Sequence, residues 1–92
     1  MIVRILGEGQ LDVPDAELES LNALDDALQS AVEADDDGGF TTALAALLSR
    51  VRQAGKPVPD AEIVPSDLVL PSPDASLAEV RELLGDEGLI PG

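Results

Sequence analysis

Five of the seven prolines fall within residues 57–73, and a sixth stands at position 14. Proline has no amide hydrogen and holds φ near about −65°, so helix interiors and central strands exclude it. Long helices are therefore confined to the stretch between Pro14 and Pro57. Within residues 57–73 the prolines cut "AEIV" and "DLVL" into short extended pieces. Such pieces must either wrap the helices or add an edge to a sheet formed elsewhere. Their apolar residues recur too regularly for a free linker, so an ordered but irregular segment is expected.

The opening "MIVRILGEGQLDVPD" supplies a candidate sheet. Residues 2–6 and 10–13 read as short strands around Gly7-Glu8-Gly9. Val3 and Ile5 share one face, while Ile2, Arg4 and Leu6 share the other. A dinucleotide-binding loop needs a third glycine and a following helix. Here the third position is Asp12, residues 10–13 look extended, and Glu8 repels phosphate. The spacing predicts a hairpin with a left-handed turn position instead.

Pro14-Asp15 predicts the start of an amphipathic helix of about 20 residues, with Asp15 as N-cap and Glu17 and Glu19 favouring its positive end. Leu18, Leu21, Leu24 or Asp25, Leu28, and Ala31 or Val32 form its apolar stripe, and Glu19, Asp26 and Glu33 the opposite, acidic one. The break "ADDDGG" leads to a second helix near residues 37–54, with Phe40, Leu44, Leu47, Leu48 and Val51 on one face. Gly55 is its expected C-cap, followed by Pro57. The short connection predicts an antiparallel pair. No acid occurs between Gly38 and Pro59, whereas Arg50, Arg52 and Lys56 cluster at the end of that stretch. Antiparallel packing would lay them beside Asp15, Glu17 and Glu19. Ser76-Leu77-Ala78-Glu79 is a capping box for a third, short helix carrying Leu77, Val80, Leu83 and Leu84 and ending at Gly85. The expected fold is a single α+β domain over residues 1–92. It comprises an N-terminal two-stranded β-hairpin, an antiparallel αα-hairpin, a Pro-rich extended segment able to add an edge strand, and a short C-terminal helix.

The chain contains neither Cys nor His, which removes thiol, disulfide and imidazole chemistry. Nineteen acids against five bases give a net charge of −14. That charge repels phosphate backbones and anionic lipid, so no direct nucleic-acid or bilayer contact is expected, and it suits a basic partner. The lack of cysteine, and an apolar opening too short for a secretory core, point to the cytoplasm.

Glu33, Asp35 and Asp37 occupy positions 1, 3 and 5 of an EF-hand-like loop, with Gly38 at position 6. Position 12, where calcium requires a bidentate carboxylate, is Leu44. These acids are weak cation candidates only. Asp25 and Asp26 point about 100° apart on a helix and do not face one substrate; as exposed carboxylates they would lack the burial that raises a pKa. No catalytic set and no cofactor are expected. An open edge on "MIVRIL", bearing Ile2, Arg4 and Leu6, would pair with a partner strand or a second copy unless residues 67–70 or 89–90 cover it. The candidate partner-binding residues are thus Ile2, Arg4 and Leu6, the stripe Glu19, Asp26 and Glu33, and the apolar pair Leu89 and Ile90 near the end. Two alternatives stay open: an acidic nucleic-acid mimic that inhibits a basic DNA-binding protein, and a cation-binding interhelical turn.

"MIVRILGEGQ", "LNALDDALQSAVEA" and "VPSDLVLPSPDASLAEVRELLGDEGLIPG" closely resemble the PspA-associated protein (PspAA) family, in order and over almost the whole chain. Leu11, where that family often carries an aromatic, and Gly38-Gly39, in place of better helix formers, depart from its pattern. The resemblance implies a non-enzymatic accessory of the phage shock envelope-stress system. Its partner would be PspA, a long coiled-coil protein at the inner face of the cytoplasmic membrane. Any membrane contact would then be indirect, through PspA. The family transfers no catalytic or ligand residue.

Overall fold

A computed structural model describes residues 1–59 and 64–84 of the chain. The alternation of the opening residues forms β1 (Ile2–Ile5), paired antiparallel with β2 (Gly9–Asp12) so that Ile2 faces Asp12 and Ile5 faces Gly9. The turn is Leu6-Gly7-Glu8, one residue earlier than the sequence suggests, and the Glu8 N–H donates to the Ile5 carbonyl at 2.9 Å. Gly7 and Gly9 hold φ of 86° and 111°, where a side chain would be strained.

β1 has no free edge at Ile2, Arg4 and Leu6: of the two outcomes the sequence leaves open, the covering of this flank by residues 67–70 is the one found. β4 (Leu68–Leu70) runs parallel beside it, with Val3 facing Leu68 and Ile5 facing Leu70. The Leu6 N–H donates to the Leu70 carbonyl at 3.0 Å, and the Asp67 N–H to the Ile2 carbonyl at 2.8 Å. β3 (Lys56–Pro57) pairs antiparallel with β2. Among the described residues the sheet therefore has four strands in the order β3-β2-β1-β4. The Pro-rich segment does add an edge strand, and its prolines stand in or beside the outer strands, where a missing amide costs least. The same segment passes over the outer sheet face at Gln10, whose Nε2 donates to the Val64 carbonyl at 2.9 Å and to Ser66 Oγ at 2.8 Å.

The chain leaves the sheet through a 3-10 turn at Asp15–Glu17 and enters α1 (Leu18–Glu33). Asp15 is not the N-cap, a place taken by Pro14 for the turn and Glu17 for α1; its carboxylate lies 3.3 Å from the Met1 ammonium. The tight turn already satisfies the Glu17 N–H, which donates to the Pro14 carbonyl at 3.0 Å, and the α-helix starts at Leu18, with its N-cap at Glu17 rather than Asp15. After a three-residue connection, α2 (Asp37–Ala54) returns antiparallel. Gly38 and Gly39 lie in its first turn, and Asp36 caps it by accepting the Gly39 N–H at 3.1 Å. α3 (Leu77–Leu84) opens on the expected capping box: the Glu79 N–H donates to Ser76 Oγ at 3.2 Å, and the Ser76 N–H to Glu79 Oε1 at 3.3 Å.

The core lies between sheet and helices. Val3, Ile5, Leu68 and Leu70 meet Leu21 and Leu28 of α1 and Leu44, Leu47, Leu48 and Val51 of α2, with Leu77 and Val80 of α3 closing one side. Phe40, the sole aromatic, is buried there. Gly55 occupies the C-cap position of α2 in an extended rather than left-handed conformation (φ −94°). What its position requires is space: a Cβ there would lie 2.9 Å from the Val51 carbonyl oxygen and 3.0 Å from side-chain atoms of both Leu11 and Val13. Gly55→Ala is expected to destabilise the fold by about 1–3 kcal/mol through overpacking against backbone. Urea denaturation checks this, and an unchanged midpoint would contradict it.

Candidate functional site

Among the described residues, three of the five basic side chains are engaged in ion pairs between elements. Arg50 on α2 reaches Glu17, before α1, with Nε at 3.0 Å and Nη2 at 2.6 Å from Oε2, as the antiparallel pairing predicts. Arg52 instead turns to the β-hairpin, where Nε and Nη2 donate to Glu8 Oε1 and Oε2 at 2.9 and 2.5 Å. Lys56 joins β3. Arg81 of α3 closes the helix turn by donating from Nη2 to the Val32 carbonyl at 2.8 Å and to Asp35 Oδ1 at 3.0 Å. These clips fasten hairpin to helix, helix to helix and α3 to the interhelical turn.

The candidate residues from the sequence fall in separate places. Glu19, Asp26 and Glu33 are exposed along one face of α1. Glu33, Asp35 and Asp37 do not form a cage: Asp35 sits at φ 55° and binds Arg81, while Asp37 opens α2. Among the described residues no three acidic side chains converge on a point that would hold a metal ion. Ile2, Arg4 and Leu6 lie on the outer sheet face, where Leu6 and neighbouring Val69 are 41% and 47% exposed. Leu89 and Ile90 lie outside the described residues.

Asp25 departs furthest from expectation. It is only 1% exposed, so the choice between Leu24 and Asp25 in the apolar stripe falls to the acid. It accepts a hydrogen bond from Gln29 Nε2, one turn on, at 3.3 Å. Leu24 is displaced to the partly exposed flank, and there it lines a groove that sequence reasoning does not find.

That groove runs between α1 and α2 and has a volume of about 700 Å³. Its walls are Leu24, Ala27 and Ala31 on one helix and Gly39, Ala43 and Ala46 on the other, and no strand residue lines it. Its origin is the division of side chains by size. The buried leucines Leu21, Leu28, Leu44, Leu47 and Leu48 pack into the core, and on the far side Leu24 and the methyl groups of the alanines do not fill the space between two helix cylinders. Gly39 sets the turn end: a Cβ there would fall 2.5 Å from Asp36 Oδ2 and 3.5 Å from the Ala31 Cβ. The signal was present as alanines at three- and four-residue steps, but alanine is common on exposed helix faces.

The described residues thus define an α+β domain: a mixed sheet backed by a helix pair and a short capping helix. The chain belongs to the PspA-associated protein family, whose model (PspAA, "PspA-Associated protein") matches residues 1–92. No curated protein and no solved structure matches it.

The Glu8–Arg52 clip carries a pH signature. Hydrogen bonds from the Arg52 guanidinium, reinforced by its charge, outweigh slight desolvation and hold the Glu8 carboxyl below its ordinary 4.5. A depressed folded-state value means that this contribution is complete above the unfolded-state value and is lost as pH falls through the folded one. Arg52→Gln is expected to return the Glu8 titration upward, toward 4.5, in a carboxyl NMR titration. Identical curves for the two proteins would rule the clip out.

Proposed function

We propose that this protein is a non-enzymatic interaction module that binds and regulates the coiled-coil protein PspA in the envelope-stress response. It would work in the cytoplasm and reach the inner face of the membrane through that partner. The observation that carries this reading is the family match across residues 1–92, to a family described as PspA-associated. The residue chemistry supports it. A chain without Cys or His lacks the thiol nucleophile and the imidazole proton carrier. The bases are largely engaged in internal ion pairs, so the acidic excess falls on the surface, where it favours a basic protein segment over phosphate. No helix among the described residues is long and apolar enough to cross a membrane.

The nucleic-acid-mimic alternative gains nothing from the placement of the acids. Glu19, Asp26 and Glu33 recur every seven residues, hence about 10 Å apart along the helix, whereas each DNA strand carries a charge every ~3.4 Å of axis.

Purified PspA should be retained by the immobilised protein at low ionic strength and retained less at about 0.5 M salt, where screening shortens the reach of charge. Absence of a complex at low salt would overturn the proposal.

A further inference from the structure

We infer that the groove between α1 and α2 is a docking site for one basic amphipathic helix of a partner protein. A seam of small apolar residues would rest on the alanine floor, with lysines or arginines along the α1 rim. The inference rests on the reading of this domain as an interaction module, but it does not require that the partner be PspA.

The floor selects a helix. From Leu24 to Ala34, the C-cap of α1, the wall spans ten helical steps, about 15 Å or nearly three turns. Its backbone amides and carbonyls are already spent within α1 and α2. An extended peptide laid there would bury its own N–H and C=O groups without partners, whereas a helix satisfies them internally. Alanine and glycine walls also let a third helix approach closely, and the volume of about 700 Å³ leaves room for side chains of its seam.

The charge selects a basic occupant and orients it. Asp26 and Glu33 stand four residues before and three after Ser30, which lines the groove, so all three share one edge of α1. Both acids are exposed. Asp36 adds a carboxylate at the turn end. The α2 edge differs, because no acid occurs between Gly38 and Pro59 and Arg50 is turned onto Glu17. One acidic and one neutral rim match a helix with its positive charges along one flank. A second copy of this chain, also at −14, is repelled from the same place.

The test uses the full chain, full-length PspA, and two synthetic amphipathic helices of roughly four turns with the same Ala/Leu seam, one lysine-rich and one glutamate-rich. Two variants alter the groove: Ala46→Trp fills it, and the double change Asp26→Lys with Glu33→Lys reverses its rim. Asp74→Lys with Glu82→Lys applies the same change of net charge at exposed positions outside the groove. All the substituted positions, Ala46 included, are exposed, and circular dichroism confirms folding for each. The lysine-rich helix should shift the amides of Ala27, Ala31, Ala43 and Ala46 in NMR spectra. Both groove variants should weaken its binding at least about tenfold, or ~1.4 kcal/mol, and the charge control by less than about threefold. Equal binding of the glutamate-rich helix, shifts confined to other surfaces, or undiminished binding to both groove variants would overturn the inference. Full PspA affinity in both groove variants would overturn the groove as the site of that partner and leave the proposed function standing. PspA that fails to bind while the lysine-rich helix seats in the groove would have the opposite meaning. A dimer in light scattering that Ala46→Trp dissolves would make a second copy the occupant and overturn the inference.

Discussion

The parallel pairing of β1 with β4 is the contact on which the other elements depend. It joins residues about 65 positions apart and places Val3 and Ile5 beside Leu68 and Leu70, at the centre of the buried cluster. A two-stranded hairpin is marginal in water by itself. With β4 on one side and β3 on the other, it becomes the middle of a sheet wide enough to cover two helices. The short, proline-flanked outer strands then leave little edge for unwanted pairing.

The electrostatics follow from that arrangement. With so few bases, each cross-element ion pair uses a large share of the positive charge, and Arg50, Arg52 and Arg81 are all placed where two elements must be held together. Each pair at the surface is worth little in isolation. Together they set how the hairpin, the helix pair and α3 sit relative to one another. The acids that remain have few cationic neighbours, so the exterior is negative by subtraction.

Much of this was legible in the sequence, and the failures have physical causes. Period-two and period-three-to-four patterns located the hairpin and all three helices, and the Ser76/Glu79 box marked the start of α3 to the residue. Residues 67–70 were one of the covers the sequence offered for β1, but it did not decide among them, because a parallel partner more than sixty residues away leaves no local mark. Asp15 failed as a cap because a 3-10 turn competed for the same amides. Leu24 and Asp25 are one helical step apart, so a small rotation of α1 decides which is buried, and hydropathy alone favours the wrong one. The groove escaped notice because it is made by what alanine lacks.

The path from β3 to β4 has a temporal consequence. These consecutive strands occupy opposite edges, and β4 reaches its place beside β1 only by closing a loop of some sixty residues. A ribosome makes β1 first and β4 some sixty residues later. In that interval a nascent chain carries an unsealed strand flank, and the like charge of neighbouring copies opposes zipping between two such flanks.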